Sequence, residues 1–182
     1  MLAVNDPNMV AWVQPNITFA MIKSDVINNG VLRDVLNHIR GSGFRIIHST
    51  EERGVYLTEE QINAFYAEHV GRPYFGDLVA SVGKGVVPLI LEKNSSIWLT
   101  NAVPEFRELI GATDARKAAA HTIRAQFGGH KFDEQAPMAQ NAIHGSDSRA
   151  SVLREIAIVF PGLTKIRTPI FGDFWLDDWK TE

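Results

Sequence analysis

Apolar residues follow two rhythms along this chain. ITFAMIK (Ile17 to Lys23) is an almost unbroken apolar run and reads as a strand. From about Asn29 the rhythm changes: Val31, Leu32, Val35, Leu36 and Ile39 recur at helical spacing, and Gly41 and Gly43 stop the helix. FRIIHSTEE (Phe44 to Glu52) is a second strand. TEEQ at Thr58 to Gln61 fits a capping box, with its helix running to about His69; Pro73 breaks it, and a short helix covers Tyr74 to Ser81. VVPLILEK (Val86 to Lys93) is a third strand, whose Pro88 suggests an edge or irregular position.

A helix from Pro104 to Ile110 ends at Gly111, and an irregular region runs from Ala112 to about Gln140. NAIHG (Asn141 to Gly145) reads as a short fourth strand. From Ser148 a helix runs to Pro161, with Leu153, Ile156, Ala157 and Phe160 on one face. This order predicts an α+β fold. It is a ferredoxin-like βαββαβ sandwich, a four-stranded antiparallel sheet with helices on its faces. The long segment 112–140 stands out, because loops of that length inside compact domains are often functional.

Composition narrows the function. At 182 residues, 45% hydrophobic and 21% charged, the chain fits one ordinary globular domain with some excess. We expect an extension over 1–15, a domain over 16–160 and a tail over 161–182. The absence of cysteine excludes thiolate metal sites and disulfides. A net charge of −3 argues against a nucleic-acid surface, so anionic ligands must meet a few local cations. No Lys or Arg precedes Lys23, and the longest apolar run is too short to span a bilayer. We therefore expect a cytoplasmic protein with no membrane partner.

Two glycine-rich stretches are false leads. GDLVASVGKG (Gly76 to Gly85) puts six residues between its first Gly and its Gly-Lys pair, where a phosphate loop has four; it reads as a hairpin turn. GSGFRI at Gly41 lacks the third glycine of a dinucleotide fingerprint. HGSDS contains His, Ser and Asp, but hydrolase triads draw their members from separated segments.

Of the six histidines, His144 has the best setting. It lies at a strand end, followed by a helix start whose free N–H groups suit phosphate. Ser146 and Ser148 there are equally explained as helix caps. A neutral imidazole is a competent nucleophile near neutral pH if a partner orients its other nitrogen. Glu155, eleven residues on, is either that partner or a plain solvent-facing residue.

Several separated motifs carry a resemblance. IKSD (Ile22 to Asp25), FYAEHVGRPYF (Phe65 to Phe75), FRELIGATD (Phe106 to Asp114), HTIRAQF (His121 to Phe127) and NAIHGSDS (Asn141 to Ser148) together resemble the nucleoside diphosphate kinase family, from about Asn16 to Phe160. The resemblance implies ping-pong transfer of a γ-phosphate from a nucleoside triphosphate to a diphosphate. His144 would be the phosphorylated nucleophile, Glu155 would hold its ring, and Ser146 would bond that glutamate. Lys23, Arg107, Thr113 and Arg124 would contact phosphates, and Asn141 the sugar. Tyr66 would lie near the histidine. Tyr74, where most members have Phe, would stack on the base, with Leu78 beside it.

Stacking on one aromatic face is tolerant of base identity, which predicts broad nucleoside use. Magnesium would bridge the phosphates without direct protein ligands, with Asp147 reaching it through water. A homo-oligomer is implied, as dimer, tetramer or hexamer.

The sequence also departs from the family. Ser24, Ala115, Ala120 and His121 stand where Pro, Pro, Pro and Gly are common, which gives the nucleotide loop more backbone freedom. Gly128 to Gln140 is longer than usual by about seven residues, which bears on ribose access or subunit packing. These departures keep one alternative open: a nucleotide-binding or scaffold module of the same fold with weak or no phosphotransfer. The aromatic, acidic tail from Pro169 is expected to pack on its own domain or on a neighbouring subunit.

Overall fold

The computed structural model describes residues 16–50, 54–94, 101–168 and the backbone of 172–175. The expected N-terminal extension, residues 51 and 52 of the second strand and most of the tail from Pro169 lie outside the described residues. Four strands, β1 (Ile17–Ile22), β2 (Phe44–Ser49), β3 (Val87–Lys93) and β4 (Ile143–Gly145), form one sheet in the order β2-β3-β1-β4. Every neighbouring pair is antiparallel. This is the ferredoxin-like α+β arrangement. One elaboration is that two helices fill the link between β2 and β3.

The helices are α1 (Ser24–Asn28), α2 (Leu32–Gly41), α3 (Glu59–Phe65), α4 (Phe75–Val82), α5 (Ala102–Ile110), α6 (Ile123–Phe127) and α7 (Arg149–Val159). β1 is buried along its whole length, and its alternating side chains feed two apolar clusters. Ile17, Phe19 and Met21 join residues of α3, α4 and α7 on one face. Ala20 and Ile22 join residues of α2, α5 and α6 on the other. A two-stranded hairpin of β5 (Lys165–Thr168) and β6 (Gly172–Trp175) follows α7, and its Ile166 enters the first cluster. Among the described residues, no helix is long and apolar enough to cross a membrane.

Several expectations are corrected. The helix expected from Asn29 is α2, which starts at Leu32, and the short α1 precedes it unforeseen. The capping box at Thr58 forms, but α3 ends at Phe65 and a 3-10 turn finishes the segment at His69. GDLVASVGKG is not a hairpin turn: most of it is α4, and only its glycine end turns. Its apolar residues at helical spacing outweigh the glycines. β3 is an interior strand. Pro88 pairs with Met21 of β1 but sits one residue beyond the last β2 pair, Ser49 with Leu89, so no ladder bond to β2 is lost. Segment 112–140 holds α6 and two 3-10 turns. α7 buries Val152, Glu155, Ile156 and Val159, whereas Ala157 of the expected face is exposed.

α5 starts before Pro104, because Asn101 caps it through the Val103 N–H and proline is tolerated in a first turn. The helix stops at Gly111, whose φ of 85° belongs to the left-handed region. A Cβ there would also press on the Thr122 side chain, 2.7 Å from its Cβ. Gly111→Ala should therefore lower folding stability by about 2 kcal/mol or more. A chemical denaturation curve with an unchanged midpoint would contradict this.

Candidate active site

The register of β4 on β1 aims His144. It lies opposite Met21 and faces the first apolar cluster. Its ring packs edge-on against Phe65 at 5.0 Å, with Phe19 at 6.4 Å. Its neighbour Gly145 faces the opposite cluster, where a Cβ would lie 3.0 Å from the Phe106 ring. Glycine there lets α5 close onto the strand.

His144 Nε2 is 2.9 Å from Glu155 Oε2, and the Ser146 hydroxyl donates to the same oxygen at 2.6 Å. Glu155 is 3% exposed on the inner face of α7, so it is not a solvent-facing residue. A carboxylate against Nε2 makes that nitrogen the N–H donor, which leaves the lone pair on Nδ1. Ser146 is thereby committed to Glu155 and is no nucleophile. The start of α7 does less than expected. Ser148 caps it through the Ser151 N–H, and its first turn does not line the cleft. The Ser151 hydroxyl donates to Asp147 Oδ1 at 2.6 Å and holds that carboxyl below its ordinary pKa.

Three cations surround the histidine. Arg124 of α6 is 5% exposed and donates Nε and Nη2 to the Ile143 carbonyl and Nη1 to the Gly111 carbonyl. Burial lowers its pKa to about 10, with nearby Arg107 adding to the effect. Arg107 of α5 donates to the Gly145 carbonyl at 3.2 Å. Lys23, just past β1, donates to the Ala139 carbonyl at 2.9 Å and to Asn141 Oδ1 at 3.0 Å. Burial pulls Lys23 down to about 8, Arg124 pushes the same way, and Asp25 opposes. Asn141 in turn donates to the Thr113 carbonyl at 2.7 Å.

These groups line a cleft of about 490 Å³. Tyr66, Tyr74, Leu78, Thr113, Asp147 and Glu155 line it too, so the structure gathers every sequence-selected residue at the cleft except Ser146, which stands behind Glu155. Tyr66 is buried beside Phe65, and burial with the Glu155 charge raises its hydroxyl well above the usual tyrosine range. It is Phe65, however, that packs directly on the imidazole. The described residues hold no group of three or more His, Asp or Glu placed to grip a metal.

Among the lining residues that sequence reasoning missed are Phe65, His69, Met138 and Arg154. Phe65 looked like core. His69 contacts the Tyr74 hydroxyl at 3.3 Å, and Arg154 pairs with Glu68 at 2.6 Å; neither partnership follows from spacing. Met138 belongs to the lengthened loop. That loop is closed by the Gly129 N–H on the Gln140 carbonyl at 2.7 Å. Arg116 fastens it from outside by donating to the carbonyls of Glu134 and Ala136. Ala115, in place of the usual proline, is buried in the 3-10 turn that carries Arg116. The chain then enters β4 through Ala142, the one non-glycine with positive φ among the described residues, at 70°. That conformation costs an L-residue about 1 kcal/mol.

A family model described as nucleoside diphosphate kinase matches residues 16–164. A nucleoside diphosphate kinase of Chlorobium chlorochromatii is 38% identical over 144 residues, covering 79% of this chain and 91% of that protein. The solved nucleoside diphosphate kinase of Aquifex aeolicus superposes with a TM-score of 0.66 at 35% identity, over 81% of this chain and 96% of that one. A halophilic enzyme of the same name from Halobacterium salinarum, solved with CDP, gives 0.66 at 31% identity, over 81% and 88%.

The Glu155 contact predicts the resting tautomer of His144. Nitrogen NMR shifts of the ring near neutral pH should report a protonated Nε2 and a bare Nδ1, and Glu155→Ala should mix the two tautomers. A protonated Nδ1 in the unaltered protein would contradict the assignment.

Proposed function

The chain belongs to the nucleoside diphosphate kinase family, and we propose that it carries out that family's γ-phosphate exchange through a phosphohistidine at His144 Nδ1. The observation that supports this most is the pairing of Nε2 with Glu155, inside a cleft ringed by Lys23, Arg107 and Arg124. In the first half-reaction the Nδ1 lone pair attacks the γ-phosphorus. The bond to the bridging oxygen breaks, and the nucleoside diphosphate leaves with that oxygen. In the second, a terminal oxygen of another diphosphate attacks the same phosphorus and the P–N bond breaks. Nε2 keeps its proton throughout, and the Glu155 carboxylate offsets the positive charge that grows on the ring.

Lys23, Arg107 and Arg124 offset charge on the phosphoryl oxygens in transit, with Thr113 beside them. They are already held by backbone carbonyls, so little reorganisation accompanies the reaction. Three of the five N–H donors of Arg124 meet carbonyls, which leaves two for phosphate. Asn141 takes the sugar hydroxyl. Tyr74 stacks on the base with Leu78 beside it, and Met138 adds a second exposed apolar surface to the same cleft. Any base offers such surfaces a π-face, so we infer broad nucleoside use.

A magnesium ion would be held chiefly by the phosphates, with Asp147 of the cleft reaching it through water, and would supply neutralising charge there. We extend the family pattern to a cytoplasmic homo-oligomer, with the catalytic unit over 16–160.

ATP radiolabelled on its γ-phosphate should label the protein in an acid-labile, base-stable form, and His144→Ala should abolish the label. Labelling that persists in that variant would remove His144 from the mechanism. Binding without exchange in a coupled assay would favour the scaffold reading instead. Arg124→Ala should lose about 3 kcal/mol of transition-state stabilisation, roughly a hundredfold in kcat.

Lys23 is a cation below its folded pKa, so kcat/KM should fall as pH rises through about 8. Lys23→Arg should carry that limb upward, since a guanidinium keeps its proton. A limb that stays in place would assign it to another group.

A further inference from the structure

Two residues beyond Lys23 lies a buried carboxylate that phosphoryl transfer does not use. Asp25 stands in the first turn of α1, 4% exposed. Its Oδ2 accepts the Ala142 N–H at 2.9 Å, across 117 residues of chain. The Ala142 carbonyl accepts the Lys23 N–H at 2.8 Å. One short segment therefore grips both polar groups of a single residue.

Ala142 is held in a backbone conformation that alanine resists. Its φ is 70°, and the Ile143 N–H closes a three-residue turn on the Asn141 carbonyl at 2.8 Å. Turns of this hand are rare and strained, and they persist where surrounding contacts enforce them. The enforcing contacts here are well built. Ala142 itself is fully buried in the second apolar cluster. α1 is tied to α4 by the Ser24 hydroxyl on the Ser81 carbonyl at 2.8 Å, which uses the serine that replaces the family's usual proline. Burial raises the Asp25 carboxyl above its ordinary pKa, while the Ala142 N–H and the Lys23 ammonium favour its ionised form.

The turn separates the two groups the site must place together. Asn141 precedes Ala142 and bridges Lys23 to the Thr113 carbonyl. Ile143 follows and offers its carbonyl to Arg124, and His144 comes next. Relaxing Ala142 into an ordinary extended conformation would change the direction in which β4 leaves the turn, and His144 with it.

We propose that Asp25 is a positioning residue: by holding the Asn141–Ile143 turn closed, its carboxylate sets where Asn141 and His144 stand relative to each other. The inference rests on His144 being the phosphorylated group.

The test is the single-turnover rate of phosphate transfer from γ-labelled ATP to the protein, with kcat, KM and melting temperature measured alongside. An unaltered protein that takes no label would overturn the phosphohistidine itself. A labelled one leaves the question of Asp25 to its variants. Asp25→Ala should label about a hundredfold more slowly at temperatures where it is fully folded, because displacements on the ångström scale are that costly. Asp25→Asn, whose amide oxygen still accepts the Ala142 N–H, should recover most of that loss.

Ala142→Gly added to Asp25→Ala should recover part of it as well, since glycine takes positive φ without help. A purely stabilising role would leave labelling in folded Asp25→Ala unchanged, and that result overturns the proposal. So does the absence of recovery by both rescuing changes. Should Asp25→Ala not fold, Ala142→Val poses the same question from the other side. A β-branched residue resists the turn, so labelling should slow; an unaltered rate overturns the proposal.

Discussion

The site hangs on three rungs of antiparallel ladder between β1 and β4: Ala20 with Gly145, Met21 with His144, Ile22 with Ile143. A slip of one residue would send His144 into the opposite cluster and bring Gly145 or Ile143 to the cleft. The rungs alone do not determine the register, since three pairs contribute little. It is enforced at both ends. Upstream, the peptide of Ala142 is gripped by Lys23 and Asp25; downstream, the Ser146 N–H donates to the Phe19 carbonyl. β1 can take this role because it is the most completely buried strand and carries both apolar clusters.

Burial also explains the charges. Three cations near one histidine repel one another, and desolvation by burial, with that repulsion adding to it, depresses Lys23 and Arg124. A fold tolerates this only where backbone carbonyls and neutral amides hold each group; here the carbonyls of Ala139, Gly111, Ile143 and Gly145 and the side-chain oxygen of Asn141 do so. A phosphate among the cations replaces repulsion with attraction, so the repulsion between them and the affinity for anions have one origin. The family to which the chain belongs shares the fold that makes this arrangement possible.

Much of this was readable beforehand, for identifiable reasons. The four strands follow from apolar runs, and the capping box at Thr58 from four residues of sequence. The cleft residues were found because their motifs resemble a known family. Spacing alone left Glu155 undecided between the imidazole and solvent. Missed features depended on distant partners. α1 is too short for periodicity to reveal, and its anchor, Ser24 to the Ser81 carbonyl, spans 57 positions. Phe65 reads as core and is core, yet one edge of it meets His144. The buried face of α7 was misjudged because Glu155, a charge, shares it with Val152, Ile156 and Val159. The positive φ of Ala142 has no signature in its residue type.

The lengthened loop before β4 is knotted at its base by Gly129 and Gln140, where a Cβ on Gly129 would fall 2.8 Å from the Gln140 side chain. Whatever the chain does between those two residues, it re-enters the domain from the same point. Doubling the length of such an excursion costs only about 0.6 kcal/mol of closure entropy. The tied loop is thus a socket: descendants of this chain, or designers, can graft recognition elements beside the nucleotide while leaving the machinery behind the knot untouched.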